Sequence, residues 1–441
     1  MNSADWSGRR IHFIGVGGAG MSGLALVCNR LGASVSGSDR AESSYFRRVR
    51  AAGIDAIVGH DEANVPGDAE IVVSTAISEE NPELALARRD GLRVLHRSDL
   101  LAELCASKRT IAVAGTHGKT TTTGMLIWAM RKMGLDPAFF VGGELPSVGE
   151  DGGAANSGWG EGEWAVVEAD ESDGSFLVLD PDIAIVTNIE MDHHSRWNGL
   201  AELRAAFAEF VSKAEGVALP VEETELPAAL GDRRLLPFDL NVPGPDRVDL
   251  VVPGEHNLLD ARAAIAGLEL AGFDPVAGAE ALSDFPGVRR RLEFKGEAGG
   301  TRIYDDYAHH PTEVKASLTA LRELEPERLI AIFQPHLYSR TKVFSDAFGA
   351  ALAVADEVMV LDVYAAREEP VGPFEGVSGL DVLRATADRA GGRPVWWTPD
   401  LEAAERAATT RLGAGRILVT IGAGDITRLS DRLVESGTEA G

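Results

Sequence analysis

The sequence predicts an α/β protein built from three units in series, and three observations carry that reading. Short apolar runs of strand length alternate with segments of helical period along most of the 441 residues. The alternation starts afresh twice, near Lys108 and after Pro286. The first two units also each contain a strand that runs into a glycine-rich turn and a helix, the arrangement in which parallel sheets meet phosphates. The expected units are therefore 1–107, 108–286 and 287–441. A chain of this length exceeds one ordinary domain. With 45% hydrophobic and 25% charged residues it has the composition of a globular protein with several cores.

In the first unit Arg10–Gly15 reads as a strand, Met21–Leu31 as a helix, and Ser34–Ser38 and Ile71–Ser74 as further strands. In the second, Thr110–Ala114 is strand-like and Gly115–Thr120 opens a helix running to about Met133. Trp164–Glu168 and Ile183–Thr187 have the apolar character of buried strands. The Gly-, Ala-, Asn- and Ser-rich stretch 147–163 reads as a loop. Residues 213–253 are rich in Pro, Asp and Glu and offer no period from which strands can be placed. In the third unit Arg302–Tyr304, Leu329–Phe333, Glu357–Leu361 and Ile417–Thr420 are strand candidates, separated by helical patterns such as Glu313–Leu324.

Charge and cysteine usage exclude several classes. Lys and Arg number 42 against 68 Asp and Glu, a net charge of −26. That excess argues against broad binding to nucleic acid or anionic lipid. It leaves a phosphorylated small molecule open, because a phosphate pocket needs only backbone N–H groups and one or two cations. Cys28 and Cys105 are the only cysteines, too few for a disulfide framework or a four-thiolate zinc site. No apolar run approaches the ~20 residues of a membrane span, and Met1–Arg10 lacks the apolar core of a secretion signal. The expectation is a cytoplasmic protein with small-molecule partners, no nucleic acid and no membrane, present as a monomer or homodimer.

Two glycine loops carry the first chemistry. Gly15, Gly17 and Gly20 match G-x-G-x-x-G after the first strand, where glycine permits a tight turn and close backbone approach to a pyrophosphate. Asp39 follows the second strand, a place where such folds often hold an acid for a ribose. A turn that needs glycine for packing alone would look the same, and the motif does not separate a nicotinamide dinucleotide from other nucleotide diphosphates. The second loop, Gly115-Thr116-His117-Gly118-Lys119-Thr120-Thr121, is more specific. Lys119 suits the β and γ phosphates of ATP and Thr120 a Mg²⁺ shell. Val113 stands where the full phosphate-loop pattern has its first glycine. One chain with two phosphate loops implies two phosphorylated ligands.

Acids cluster beyond two later strands, at Glu168, Asp170, Glu171 and Asp173 and at Glu190 and Asp192, the latter followed by His193 and His194. Parallel sheets place ligand sites at strand C-termini, and Mg²⁺ takes oxygen ligands shared with substrate phosphates. Taken singly, each of these acids reads better as a solvated loop residue than as a ligand, and His193 and His194 read equally as ordinary polar loop residues.

The motifs in sequence resemble the Mur ligase family. They are GVGGAGMSG (15–23), AGTHGKTTTT (114–123), VVEADESDGSF (166–176), TNIEMDHH (187–194), GEHNLLDARAA (254–264), FPGVRRRLEF (285–294), DDYAHHPTEV (305–314) and FQPHLYSRT (333–341). The resemblance runs from about Arg10 to beyond Ile421 and is thin only over 213–253. It implies a three-domain α/β architecture: an N-terminal Rossmann-like domain for a UDP sugar, a central P-loop ATPase-type domain, and a C-terminal Rossmann-like domain for ATP and amino acid. The implied activity is ATP-dependent joining of L-alanine to the lactyl carboxylate of UDP-N-acetylmuramate through an acyl phosphate, with ATP and Mg²⁺ as cofactors.

Carried over position by position, the resemblance gives UDP-sugar binding to Gly15, Gly17, Gly18, Gly20, Met21, Ser22, Asp39, Ser74 and Asn188. ATP binding falls to Gly115, Thr116, His117, Gly118, Lys119, Thr120 and Thr121, with His256, Asn257 and Asp260 near the adenine and Arg291 and Asp306 reaching the nucleotide. Thr120, Glu168 and His193 are implied as Mg²⁺ ligands, and Lys119, Glu168, His193, Arg291 and Asp306 as catalytic residues. Tyr307, His309, His336 and Arg340 are implied at the amino acid, with Arg340 matched to its carboxylate; for His309 and His336 a structural role is an equal alternative. Two departures stand out. Asp260 replaces the usual second Asn of H-N-x-x-N, and Leu337 stands where some relatives have Arg. Competing readings are a ligase joining a preformed peptide to the same UDP sugar, a nicotinamide oxidoreductase fused to an ATPase, and a non-catalytic nucleotide-binding scaffold.

Overall fold

Apolar segments too short to be helices make the first sheet: β1 (Arg10–Ile14), β2 (Ser34–Asp39), β3 (Asp55–Val58), β4 (Glu70–Val73) and β5 (Val94–His96). All pair in parallel in the order β3-β2-β1-β4-β5. The chain reverses its direction of travel across the sheet between β1 and β4, where a doubly wound sheet leaves a crevice for ligands. These and all other coordinates are those of a computed structural model, which describes residues 6–149, 152–192, 196–241, 248–366 and 368–439.

The second sheet holds β6 (Arg109–Ala114), β7 (Ala138–Leu145), β8 (Ala155–Gly158), β9 (Trp164–Glu168), β10 (Ile183–Val186), β11 (Gly216–Pro220) and β12 (Arg234–Phe238), in the order β12-β11-β10-β6-β9-β7-β8. Only β8 runs antiparallel, against β7. The expected loop at 147–163 is therefore corrected, since β8 lies inside it. Ala-Asn-Ser-Gly has no strand propensity; pairing with β7, where Gly158 faces Phe139, makes it a strand. The stretch 213–253 likewise contributes β11 and β12. β12 is an edge strand exposed at most positions, and so carries no apolar period.

The third sheet holds β13 (Glu293–Ala298), β14 (Thr301–Asp306), β15 (Arg328–Phe333), β16 (Glu357–Val360), β17 (Val395–Trp397) and β18 (Arg416–Ile421), ordered β13-β14-β18-β15-β16-β17 with β13 alone antiparallel. The chain divides into two compact units. The first comprises residues 1–250 and 258–285 and contains the first two sheets; the second comprises 251–257 and 286–441 and contains the third. In the first unit a single buried apolar cluster runs from Phe13 and Leu104 through Phe140 and Val167 to Phe176 and Phe207, so the two sheets share one core. The strands read from sequence are all present, with ends shifted by one or two residues. Among the described residues no helix is long and apolar enough to cross a membrane.

One polar group interrupts the apolar core of the first sheet. Glu83, fully buried on the helix Pro82–Arg89, accepts from Ser38 Oγ at 2.5 Å, Asn64 Nδ2 at 2.8 Å and the Asp61 N–H at 3.2 Å. His12 Nε2 of β1 lies 3.5 Å away, and His60 Nδ1 also lies at 3.5 Å. Burial alone would raise the Glu83 pKa, but the hydrogen bonds from His12, Ser38 and Asn64 outweigh it and hold it at about 2. The group thus ties three segments together just below the first glycine loop.

Removing a buried, multiply bonded carboxylate leaves its donors unpaired, so Glu83→Ala is expected to cost about 3–4 kcal/mol in urea unfolding at pH 7. Because the folded pKa lies below the unfolded value of about 4.3, this contribution is complete above that pH. It fades as pH falls toward 2, and the stability gap between wild type and variant should narrow over that window.

Candidate active site

The second glycine loop sits at the centre of its sheet. β10, β6 and β9 are adjacent, so the residues that follow them converge: Thr187 to Glu190, Gly115 to Gly118, and Ala169 to Asp173. Gly115 (φ +135°) and Gly118 (φ +79°) hold conformations that L side chains rarely adopt. A Cβ on Gly115 would collide with Thr187 Oγ1, and one on Gly118 with the Asp260 carboxylate.

The strand exit after β10 clasps the loop. The Asn188 amide accepts from the His117 N–H and donates to the His117 carbonyl, each at 3.0 Å, while the Asn188 carbonyl accepts from the Thr116 N–H at 3.1 Å. Thr187 Oγ1 donates to the His117 carbonyl at 2.5 Å, and Thr116 Oγ1 donates to the Glu190 carbonyl at 3.0 Å. His117 Nε2 lies 3.0 Å from the Glu190 carboxylate. Asn188, implied at the sugar, is thus placed on the phosphate loop itself.

Lys119 opens the helix Lys119–Lys132 and folds back over the loop. Its ammonium donates to the carbonyls of Gly115 (2.5 Å) and Thr116 (3.2 Å) and lies 2.7 Å from Glu171 Oε2. Burial opposes its charge, but the carboxylates of Glu171, Asp170 and Glu168 outweigh this and hold its pKa above the ordinary lysine value. Burial pushes the Glu171 carboxyl up to about 7, with Lys119 pulling against it and Asp170 adding repulsion. Beside this pair, Thr120 Oγ1 donates to Glu168 Oε1 at 3.0 Å, and the Gly142 N–H fixes Glu168 Oε2 at 2.7 Å. Two oriented oxygen groups next to a phosphate loop fit the donor set that Mg²⁺ requires. His193, the third implied ligand, lies outside the described residues.

The first glycine loop is held by the same kind of contact. Gly15 and Val16 donate to the Ser38 carbonyl at 2.8 and 3.0 Å, and Asp39 Oδ2 accepts from the Gly17 N–H at 2.8 Å. The carboxylate expected at a ribose therefore braces the loop. Gly18 caps the helix Ala19–Arg30, whose first turn carries the buried Gly20 neighbours Met21 and Ser22. Ser74 follows β4, and its carbonyl accepts from Ile77 at 3.1 Å; Ile77 in turn packs on Gly15. From Gly20 a cavity of about 770 Å³, counting its open mouth, extends past Arg97, Asn156 and Phe140 to Glu168 and Asp170. Within the first unit it runs from the first glycine loop to the acids that follow β9.

The second unit gathers a separate set after β14, β18, β15 and β16, which are neighbours in that order. Tyr307 and His309 meet edge-on with ring centres 5.6 Å apart, His309 and His336 at 6.2 Å, and His336 stacks on Tyr364 at 5.9 Å. Arg340, buried, lies 3.2 Å from His336 Nδ1. All four residues implied at the amino acid are thus brought together. Arg291 lies over the Tyr307 ring at 5.3 Å and 3.8 Å from Glu313. Asp306 is buried and accepts from the N–H groups of Ala308 (2.6 Å) and Leu292 (2.9 Å) and from Ser317 Oγ (3.1 Å). Burial raises its pKa to about 6, with Arg291 drawing it down. Leu337 has φ +70° at the start of the helix Tyr338–Leu352, a strained value for a leucine. Asn257 is anchored by its amide to the Pro253 carbonyl at 2.6 Å, and burial lowers the His256 pKa to about 4.

Comparison with known proteins decides the family. Three family models match in order: the catalytic domain of the Mur ligase family over residues 10–109, the Mur ligase middle domain over 113–225, and the glutamate ligase domain of Mur ligases over 290–424. The chain belongs to the Mur ligase family. A UDP-N-acetylmuramate–L-alanine ligase of Renibacterium salmoninarum is 42% identical over 97% of this chain and 96% of that protein. One from Kineococcus radiotolerans is 44% identical over 96% and 95%. The crystal structure of the UDP-N-acetylmuramate-alanine ligase MurC from Thermotoga maritima superposes with a TM-score of 0.82 at 30% identity, covering 98% of this chain and all of that one. The three-sheet architecture is therefore that of three-domain Mur ligases.

In this Mur ligase the structure adds residues that sequence reasoning passed over. Glu171 pairs with Lys119, Thr187 with the loop carbonyl, Tyr364 with His336, and Arg97 and Asn156 line the cavity. Glu171 was visible in the acidic run 168–173, but nothing in the sequence ranks it above its neighbours. Tyr364 and Arg97 follow strands directly or within a few residues, a positional signal shared with many ordinary loop residues.

Asp260 is buried, and its carboxylate faces Gly118 of the phosphate loop. A carboxylate there repels an arriving phosphate and offers no donor. Asp260→Asn in this Mur ligase is expected to lower the KM for ATP several-fold with little change in kcat; steady-state kinetics with varied ATP measure it, and an unchanged or raised KM contradicts the account.

Proposed function

We propose that this chain joins L-alanine to the lactyl carboxylate of UDP-N-acetylmuramate at the expense of ATP, a step of cytoplasmic peptidoglycan precursor synthesis. The observation that carries the reading is near full-length identity of 42–44% to ligases of that activity. The cavity running from Gly20 of the first glycine loop to Glu168, which accepts from Thr120, supports it. Joining a preformed peptide to the same sugar is not favoured by these relatives, and nothing in the chain marks a hydride-transfer site.

The chemistry follows from what amide formation needs. A carboxylate is a poor electrophile and repels nucleophiles; phosphorylation by the γ-phosphate of ATP converts it to an acyl phosphate with a good leaving group. Lys119, kept charged by its neighbouring carboxylates, is suited to follow the negative charge from nucleotide to transferred phosphoryl group. Its present contacts with Gly115, Thr116 and Glu171 keep it over the loop until phosphate oxygens take their place. Thr120 and Glu168, with His193, would hold Mg²⁺, which supplies charge neutralisation at the phosphates. The start of the helix Lys119–Lys132, its loop held by Asn188 at Thr116 and His117, forms the cradle.

The amine of L-alanine then attacks as the neutral base, and the tetrahedral oxyanion expels phosphate. Arg340 is matched to the alanine carboxylate, with Tyr307, His309 and His336 around the side chain and amine. Asp306 acts by fixing the turn that carries Tyr307 and the linker residue Leu292. We place domain boundaries near Lys108 and Pro286; the family models cover residues 10–109, 113–225 and 290–424.

Two measurements test the reading. Mass detection of product from UDP-N-acetylmuramate, ATP, Mg²⁺ and a panel of amino acids should return the L-alanine adduct as the dominant species, with ADP and phosphate formed only when sugar and amino acid are both present. Lys119→Met should lower kcat by at least about 10³-fold, the scale of losing a charged transition-state donor, while the protein unfolds as cooperatively as wild type. A variant that retains full turnover would refute the role given to this lysine.

A further inference from the structure

Arg97 is the only cationic residue among the described residues lining the cavity of the first unit, whose other charged groups are Glu168 and Asp170. It is the first residue of the helix Arg97–Cys105, directly after β5, at the edge of the first sheet where parallel folds take their ligands. The direction in which it leaves the backbone is fixed. The Asp99 carboxylate accepts from the His96 N–H at 3.0 Å, and His96 Nδ1 accepts from the Ser98 N–H at 3.4 Å, closing a capping box around it.

The guanidinium reaches the start of the helix Ala19–Arg30, and a Cβ on Gly20 would come within 3.2 Å of its Nη1. On its other side Nη2 lies 3.8 Å from Asp170 Oδ2 and 3.8 Å from Asp173 Oδ2, beyond hydrogen-bond length in both cases. Those two acids do not depend on Arg97 for their placement. Asp170 Oδ1 accepts from the Ser172 N–H at 3.0 Å and Asp173 Oδ1 from the Ser175 N–H at 2.9 Å. The guanidinium is therefore steered by two fixed carboxylates without being closed onto either, and it faces a cavity shared with the first glycine loop.

We propose that Arg97 binds the diphosphate of the UDP sugar, an inference that rests on the function proposed above. A dianion entering a cavity that already holds two carboxylates needs a cation in place, and a planar fork suits two phosphate oxygens at once. Held between Gly20 and Asp170, the diphosphate leaves the uridine on the side of the first glycine loop. The sugar then points along the cavity toward Glu168 and Thr120, where phosphoryl transfer takes place.

The test uses the full chain with Arg97→Gln, which keeps a polar amide on a shorter stem and removes the charge, and Arg97→Lys, which keeps the charge without the planar fork. Titration calorimetry with UDP should show Kd rising about 30-fold for Arg97→Gln, the scale of losing a charged hydrogen-bonding partner. Arg97→Lys should lie between the variant and wild type, and uridine should bind all three alike. In steady state the KM for UDP-N-acetylmuramate should rise in parallel, while the KM for ATP stays within about twofold, which also certifies the fold. Unchanged UDP affinity in Arg97→Gln overturns the proposal, as does a loss seen with UDP-N-acetylmuramate but not with UDP, which would place Arg97 at the sugar acid. If wild type forms no alanine adduct, the proposed function fails, and the UDP titration still decides whether Arg97 grips a diphosphate.

Discussion

The site depends on holding one glycine-rich stretch of backbone in a single conformation. The start of the helix Lys119–Lys132 can meet phosphates only while the loop 115–118 ahead of it holds one conformation, since a floppy loop would lose its advantage to ordering entropy. The solution is a clasp from the neighbouring strand exit. Asn188 and Thr187 bond the loop at His117 and Thr116, and Thr187 sits so close to Gly115 that no side chain fits there. Everything downstream follows from this contact: where Lys119 starts, where its ammonium reaches, and where Thr120 meets Glu168.

The same device recurs in each of the three sheets. An acid at or near a strand C-terminus accepts from backbone elsewhere in its unit: Asp39 from the Gly17 N–H, Glu168 through one oxygen from the Gly142 N–H of β7, and Asp306 from the N–H groups of Leu292 and Ala308. Each leaves its loop with fewer conformations to choose among. Burial and nearby charge then decide the protonation behaviour. Asp306 and Glu171 are raised by desolvation, whereas at Glu83 the hydrogen bonds from His12, Ser38 and Asn64 outweigh burial and hold the pKa at about 2.

What was legible in the sequence follows burial. β1, β6, β9, β10, β15 and β18 are buried at nearly every position, so their apolar runs are long enough to stand out. β3, β12 and β17 are edge strands exposed on one or both faces, and β8 is a small-residue strand; none has an apolar period, and pairing with a neighbour is what makes them strands. Among site residues, those inside glycine loops were readable because glycine spacing reports backbone geometry. Arg97 and Glu171 were not, since a charged residue after a strand has the same sequence signature whether it faces solvent or a cavity.

By itself the sequence determined the order of the α/β units, the two phosphate loops, and the family to which their spacing belongs. Those features are local, set by a few consecutive residues and their hydrophobic period. Only the tertiary structure decided that Asn188 braces the phosphate loop, that Lys119 is balanced by Glu171, and that the residues of the third sheet from Tyr307 to Arg340 form one aromatic and cationic group. These depend on which strands lie side by side, and strand order is fixed by the packing of segments tens of residues apart.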